Sequence, residues 1–399
     1  MKSQNPMRKA AVVITILAVL LQACNSDFSE INDRAIVNMV GVELDDKGNY
    51  VTYFQVVNPN GIAGTKAGGA RSPLYTFEFK GKTWAEFTVN STHTLSRKPF
   101  ISHFQAYLVS ERLAKKGLDD LLNFLEADPT RRMATAIFIT KSPMWDMMNT
   151  YVPLEMNPGK ELRDIRQLQA SMTGKSNNLS RVKDLLDAYE NSKLTFIANV
   201  KLTDNKPFIT TKRFQTIEGN QGNYSYTGAS IMKRGKWIGE LDDDQLIPLF
   251  FMLNQDRSFV KDLVLGQGES AQVQQTGKPR MEKKLELRNG VPVVSLIVKP
   301  KLKLISTDLN GKVDGNAVKV MERKFEEQMT KECLDLWNLG LQNKWDLLGI
   351  EEWIKRKSGR EWAKLKEDPD SWMNAKVSIH VQSSIVKLGI LLTPYEGAD

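Results

Sequence analysis

Two cysteines and three histidines are the chain's whole stock of thiol and imidazole, and only Cys24 stands in a context that makes a reaction. It follows Leu21-Gln22-Ala23, so a small side chain precedes it and leaves the Ala23–Cys24 bond open to a peptidase. A thiol in that setting is a nucleophile able to take a lipid. Cys333 lies among apolar residues at helical spacing and reads as a small buried side chain. With Cys24 consumed, no internal disulfide is open to an exported body, which must rest on its core. His93, His103 and His380 hold no metal-ligand spacing with one another or with a cysteine. His380 reads as solvated on the polar face of a strand, and His103 as structural, holding a turn. Asp242-Asp243-Asp244 is explained by the helix it opens, whose dipole the acids complement. Asp45-Asp46-Lys47-Gly48-Asn49 lacks the spacing and terminal Glu of a calcium loop and reads as a plain turn. No G-x-S-x-G elbow, Walker loop or dinucleotide-binding glycine pattern opens a helix after a strand. No catalytic residue and no metal site is expected, and the chain reads as a non-enzyme.

The residues ahead of Cys24 form an export signal. Lys2, Arg8 and Lys9 are a basic start, and Ala10–Leu21 is apolar but for Thr15. Such a run spans roughly 18 Å as a helix, short of a ~30 Å hydrocarbon core, so a signal peptide over residues 1–23 is expected rather than a membrane span. Leu21-Gln22-Ala23-Cys24 resembles the lipobox of bacterial lipoproteins. There the cysteine receives diacylglycerol, cleavage leaves it as the new N-terminus, and an acyl group such as palmitate follows. The competing reading is an ordinary secretory signal with a chance cysteine. Covalent lipid on Cys24 is the one prosthetic group expected, and two acyl chains make an anchor effectively permanent.

Removing residues 1–23 takes away three positive charges and no negative one, so the formal net charge falls from +8 to +5. That balance suits anionic lipid or wall polymer and is far from a nucleic-acid binder. The remaining length is enough for two or three domains.

The elements that must position any site read as follows. Ala35–Val42 and Tyr50–Val57 form a hairpin, Asn60–Arg71 a loop, and Leu74–Phe79 a strand. Thr83–Leu95 is helical, with Thr83 and Glu86 at capping-box spacing. Gln105–Val109, two helical runs over Glu111–Leu125 and the strand Ala134–Thr140 make a crossover unit, which implies a partly parallel sheet. Lys160–Asn191 is helical with a break at Thr173–Asn178, and Leu194–Leu202 is a strand. Domains are expected over 24–200 and 201–399, the second open to further division. The second half starts with a hairpin around Lys233-Arg234-Gly235 and the helix Gln245–Leu253. Val291–Ile305 is strand-rich, with Pro292 and Pro300 at edges or bends. Val318, Met321, Phe325, Met329, Cys333, Leu336 and Trp337 mark an amphipathic helix, and a strand over Val377–Gln382 follows. The class is α+β, multi-domain, with mixed and antiparallel sheets packed with helices.

Four segments in order resemble the Ger(x)C family, the lipoprotein C subunits of spore germinant receptors. They are Glu30–Val37 with Gly41 and Asp45; Leu95–His103 running on to Glu111–Leu118, Asp128-Pro129 and Arg132; Gly228–Leu241; and Cys333–Trp362 with Leu341-Gln342, Asp346 and Gly349. The chain departs from the family in having Asn25-Ser26 where an aromatic residue follows the lipid cysteine, and in lacking a proline near Ser358-Gly359. The resemblance implies a non-enzymatic subunit on the outer face of the spore inner membrane. It would act beside two membrane-embedded subunits, A and B, in a complex that answers nutrients. A substrate-binding lipoprotein of an uptake transporter and a lipid-anchored envelope enzyme are the other classes open. The first would show two lobes of repeated βα units, and the second a cleft with convergent ionisable groups.

Five of the eight tryptophans lie between Trp337 and Trp372, around a basic corner of Lys355, Arg356, Lys357 and Arg360. Either the indoles pack inward behind a solvated charged face, or the corner rests on anionic headgroups or an acidic partner face.

Overall fold

The structure is a computed structural model. It describes residues 33–58, 72–102, 104–128, 131–152, 154–175, 180–191, 193–203, 207, 209, 224–255, 258–266, 268–309 and 313–388. Ala23, Cys24, His103 and the expected loop Asn60–Arg71 lie outside the described residues, apart from the structure of their neighbours.

The first half is built on the hairpin of β1 (Arg34–Leu44) and β2 (Tyr50–Val57). Asp45 organises its turn, accepting the backbone N–H groups of Lys47 at 2.9 Å and Asn49 at 2.8 Å. A bulge between Val37 and Met39 changes the alternation. Ala35 and Val37 therefore share a face with Val40, Val42 and Leu44, while Met39 turns to the other. To this hairpin are added β3 (Leu74–Gly81), β4 (Lys98–Phe100), β5 (Ala106–Ser110), β6 (Ala136–Thr140), β7 (Leu194–Leu202), β8 (Tyr224–Lys233) and β9 (Lys236–Leu241). They form a nine-stranded sheet in the order β3-β2-β1-β5-β6-β7-β8-β9, with β4 paired to β1. β1, β5, β6 and β7 run parallel, and antiparallel pairs flank them. The implied crossover is thus present. β7 runs across residue 200, and β8 and β9 continue the same sheet beyond it.

Both faces of this sheet are covered, as parallel strands require. One face packs on α1 (Trp84–Ser91), α2 (Glu111–Lys116), α3 (Asp119–Glu126) and α6 (Val182–Glu190), the other on α4 (Met144–Met148) and α5 (Pro158–Met172). Ser110 caps α2 through a 3.2 Å bond from Leu113 N. The Thr83–Glu86 capping box does not form. Thr83 makes no side-chain cap bond, and Glu86 reaches back to the N–H of Lys82 at 2.8 Å.

The second half wraps two small sheets around one long helix. After α7 (Asp243–Leu253), capped by Asp242, come β10 (Val260–Gly266), β11 (Glu269–Gln275), β12 (Arg280–Arg288), β13 (Val291–Lys299) and β14 (Lys301–Thr307). Then follow α8 (Gly315–Asn343), α9 (Ile350–Arg356), α10 (Arg360–Glu367), a 3-10 turn over Ser371–Asn374, β15 (Lys376–Val381) and β16 (Ser384–Lys387). The sheets are β10-β11-β14-β16 and β12-β13-β15. Pro300 is the bend at which the chain leaves one sheet for the other. Pro292 lies inside the central strand β13, which is not an edge. It is tolerated because it pairs only with β12, and the ladder to β15 begins one residue later, at Val293.

The halves share a core. Phe196, Ala229, Ile231 and Leu241 of the large sheet belong to the same buried cluster as Met321, Phe325, Met329, Cys333 and Trp337 of α8. Gly239 packs directly under the other half, since a Cβ there would lie 2.1 Å from the indole of Trp345. Among the described residues, no helix is long and apolar enough to cross a membrane.

Candidate functional site

An aromatic hollow lies under Lys98–Ser102, a stretch singled out in the sequence. After α1 ends, β4 pairs parallel with the first residues of β1, Lys98 opposite Arg34 and Phe100 opposite Ile36. This pairing draws the Lys98–Ser102 stretch across the sheet and roofs a cavity of about 450 Å³ between β1, β2, α1 and α3. Its walls are largely aromatic. Trp84 stands 4.5 Å from Tyr50 and 5.4 Å from Phe87, and Phe104 meets Tyr107 edge to face at 4.5 Å.

Charge is confined to the edge of this space. The Arg131 guanidinium lies 3.7 Å over the Phe124 ring and 3.6 Å from the Asp128 carboxylate. Its Nε and Nη1 are buried with no hydrogen-bond acceptor among the described residues. Arg34 stacks over Phe100 at 4.6 Å. Thr52, on the sheet floor, has a buried Oγ1 with no hydrogen-bond partner among the described residues. Burial drives the Tyr107 phenol well above its ordinary pKa, with Arg131 opposing, so it stays protonated. An aromatic chamber with cations at its edge has the chemistry to hold an apolar body bearing an acidic end. Covering about 150 Å² of such wall contributes about 4 kcal/mol, the scale of a millimolar ligand before polar contacts. Nothing in this arrangement pairs a nucleophile with a base, and binding is the chemistry it offers.

The other residues marked in the sequence are dispersed. Cys333 is fully buried on α8, its Sγ 3.9 Å from the carbonyl of Pro248. His380 is exposed on β15. Asp242 accepts from the N–H groups of Asp244 and Gln245, so capping accounts for that acidic run. Among the described residues, no cluster of three or more His, Cys, Asp or Glu could hold a metal ion.

Two of the four cations of the basic corner are ion-paired. Lys355 pairs with Glu351 at 2.5 Å, Arg356 pairs with Glu352, and Lys357 lies 5.8 Å from the Trp362 ring. Trp337 and Trp372 are buried against each other. Asp346 caps α9 by accepting from Ile350 N and Glu351 N at 2.8 and 2.7 Å. Burial nevertheless pushes its carboxyl up to about 6.

Two family models match nearly the whole body of the chain. One, the spore germination protein N-terminal domain, covers residues 27–202, and the other, spore germination B3/GerAC like, C-terminal, covers 227–389. The chain belongs to the Ger(x)C family. It is 21% identical over 394 residues to spore germination protein KC of Bacillus subtilis (strain 168), covering 96% of each chain. It is 25% identical over 267 residues to the putative spore germination protein YfkR of the same organism, covering 65% of each. The crystal structure of the GerBC protein matches with a TM-score of 0.56 at 17% identity, covering 87% of this chain and 97% of that one. That likeness carries the multi-domain α+β fold.

The Ger(x)C segments found in the sequence can now be placed physically. Gly228 and Gly239, both within Gly228–Leu241, are sites where a Cβ would strike Leu241 O and the Trp345 indole. Asp346 and Gly349 shape the start of α9, with Gly349 at φ +69°. Lys98–Ser102 roofs the aromatic cavity. Phe87, Phe124 and Arg131 were not singled out in the sequence. The available signal was aromatic density, since Phe77, Phe79, Trp84, Phe87, Phe100, Phe104 and Tyr107 crowd a short stretch.

Proposed function

We propose that this chain is the lipid-anchored, non-enzymatic C subunit of a spore germinant receptor. Diacylglycerol on Cys24 would hold it to the outer face of the spore inner membrane, beside the membrane-embedded A and B subunits in nutrient-triggered germination. The observation that carries this reading is the lipobox spacing at Leu21–Cys24, immediately ahead of a body matched by the family's N- and C-terminal models from residue 27 to residue 389. The architecture supports it over an uptake-transporter lipoprotein, because the second half is a long helix held by two small sheets rather than a lobe of repeated βα units. The aromatic cavity supports binding over turnover. No cofactor is required beyond the lipid.

The test is Cys24→Ala in spores fed labelled fatty acid. The unchanged protein should carry label, sediment with the inner membrane and co-purify with two multi-span subunits. The variant should accumulate unlabelled with its signal uncleaved. Label retained by the variant would refute lipid on Cys24. A labelled, membrane-bound protein that purifies free of multi-span partners would refute the receptor assignment.

A further inference from the structure

Beyond Phe104 from the aromatic cavity, four arginines converge at the amino ends of β5 and β6. Arg132, Arg163, Arg166 and Arg181, with Gln105 and Gln167, line a separate cavity of about 520 Å³. Arg166 is the centre of the matter. It projects from α5 with only 4% of its surface exposed, and its Nε and Nη1 are buried with no hydrogen-bond partner among the described residues. Tyr226 does not answer it, because the phenol donates to Leu162 O at 2.5 Å and burial keeps it protonated. Burial pulls the Arg166 pKa down from its ordinary value; Tyr226 and Asp184 oppose the effect, and the neighbouring charges of Arg181 and Arg163 add to it.

The surrounding guanidiniums are held in place. Arg181 forms a two-pronged pair with Asp184 at 2.8 and 2.9 Å. Its backbone is fixed by a bridge to Ala136 and by bonds from Ile137 N to Ser180 O and from Val182 N to Thr135 O. Arg163 donates Nε and Nη2 to Asp164 at 3.0 and 2.9 Å, and Nη1 to Gln105 Oε1. Asp164 and Asp184 thus offset two of the four positive charges, and two remain among the described residues lining this space. A buried cation facing like charges is among the costliest arrangements a fold can keep, and an apolar side chain of similar volume would cost less. Guanidiniums fixed in advance, with donors unspent, match the oxygen geometry of carboxylates and phosphates.

We propose that this pocket binds a small organic oxyanion carrying two negative charges, a phosphate monoester or a dicarboxylate, with Arg166 as the buried anchor and Arg132 at the mouth. The space exceeds that of a single oxyanion group, so the ligand has a body as well as a charged end. The inference is independent of the lipid anchor and of the receptor assignment.

The experiment is thermal unfolding and titration calorimetry of the full chain in detergent. The probes are inorganic phosphate, succinate, acetate and a short-chain phosphatidate, with ionic strength held by sodium chloride. Phosphate or succinate should raise Tm saturably, with acetate at least tenfold weaker. Arg166→Met should match or exceed the unchanged protein in Tm without anion, and should lose the response at least tenfold in Kd. Arg132→Gln, an exposed position whose loss leaves the core intact, should weaken it several-fold, which decides the matter if Arg166→Met does not fold. Succinate without phosphate assigns a dicarboxylate, the reverse assigns a phosphate, and a response to phosphatidate alone assigns a lipid headgroup. No saturable shift up to tens of millimolar, an equal shift in Arg166→Met, or an equal response to acetate would overturn the proposal.

Discussion

The two halves of this molecule treat burial differently. Around α8 the buried face runs over Met321, Phe325, Met329, Cys333, Leu336 and Trp337, packed on one side by α7 and on the other by β10 and β15. The hollows beside α8, of about 800 and 870 Å³, are open clefts between mostly polar side chains, whereas the two under the helices of the nine-stranded sheet are lined by aromatic and by arginine side chains. Beside them lie buried polar atoms with unused hydrogen-bonding capacity: Thr52 Oγ1, Arg131 Nε and Arg166 Nε. Buried polar groups left unsatisfied call for an explanation in each case. Scaffolds close their cores, whereas sites keep openings that something else completes. On the pocket proposal above, the N-terminal half is the part that would receive a ligand, and the core around α8 is its scaffold.

The sharpest way to break that contrast is a matched pair of truncations. Phe325 is fully buried and stacks on Phe259 at 6.3 Å, whereas Phe87 is equally covered but lines the aromatic cavity. Phe325→Ala should cost about 4–5 kcal/mol in a denaturant melt, the upper end for such a change. Phe87→Ala should cost about 2–3 kcal/mol, because one side of its ring already lacks neighbours. Equal losses would show that the cavity wall is as tightly packed as the scaffold.

The contrast also bears on what was legible in the sequence. The stripe Val318–Trp337 announced α8, and Leu194–Leu202 was read with the bounds of β7, because a long period repeat and a β-branched run report local preference. β10, β11 and β12 were not foreseen. β12 reads Arg280-Met281-Glu282-Lys283-Lys284-Leu285-Glu286-Leu287-Arg288 and buries only Leu285. Edge strands rich in charge resist unwanted pairing and, for the same reason, carry no hydrophobic signature. Both hollows were likewise out of reach. Arg181 reaches its pocket through the bridge to Ala136, and Phe87 and Phe124 are brought together because each packs on the ring of Trp84. Spacing along the chain encodes neither.

A smaller effect tests the scaffold by acid. Asp346 is raised by burial to about 6 despite its two cap bonds. The folded state therefore holds a proton that the unfolded state releases between its ordinary pKa near 4 and about 6. In that window stability falls as pH rises, and above it the penalty is complete. Lowering pH from 7 to 4.5 should relieve roughly 1–3 kcal/mol from this group. Asp346→Asn should remove that slope, measured as denaturant midpoint against pH. An unchanged slope in the variant would assign the pH response to other carboxyls.

The smallest effect is the most pointed for the cavity itself. Thr52 is 3% exposed on β2, and its hydroxyl faces an aromatic chamber with no acceptor in reach. Its backbone bonds run to β1 and β3 through the Val42 and Phe79 registers, so a side-chain change leaves the ladder alone. Valine has the same branched shape and suits a strand equally well. The exchange thus isolates the hydroxyl. Where the aromatic walls keep water from that hydroxyl, Thr52→Val should raise stability by about 0.5–1 kcal/mol. The reading is a higher denaturant midpoint at unchanged slope, which excludes a change in compactness. A fall in the midpoint would mean that Thr52 is satisfied by something the chamber holds. The aromatic cavity would then be a wet polar site rather than a receptor for an apolar body, and the division between closed scaffold and open receiver would have to be redrawn around Arg166 alone.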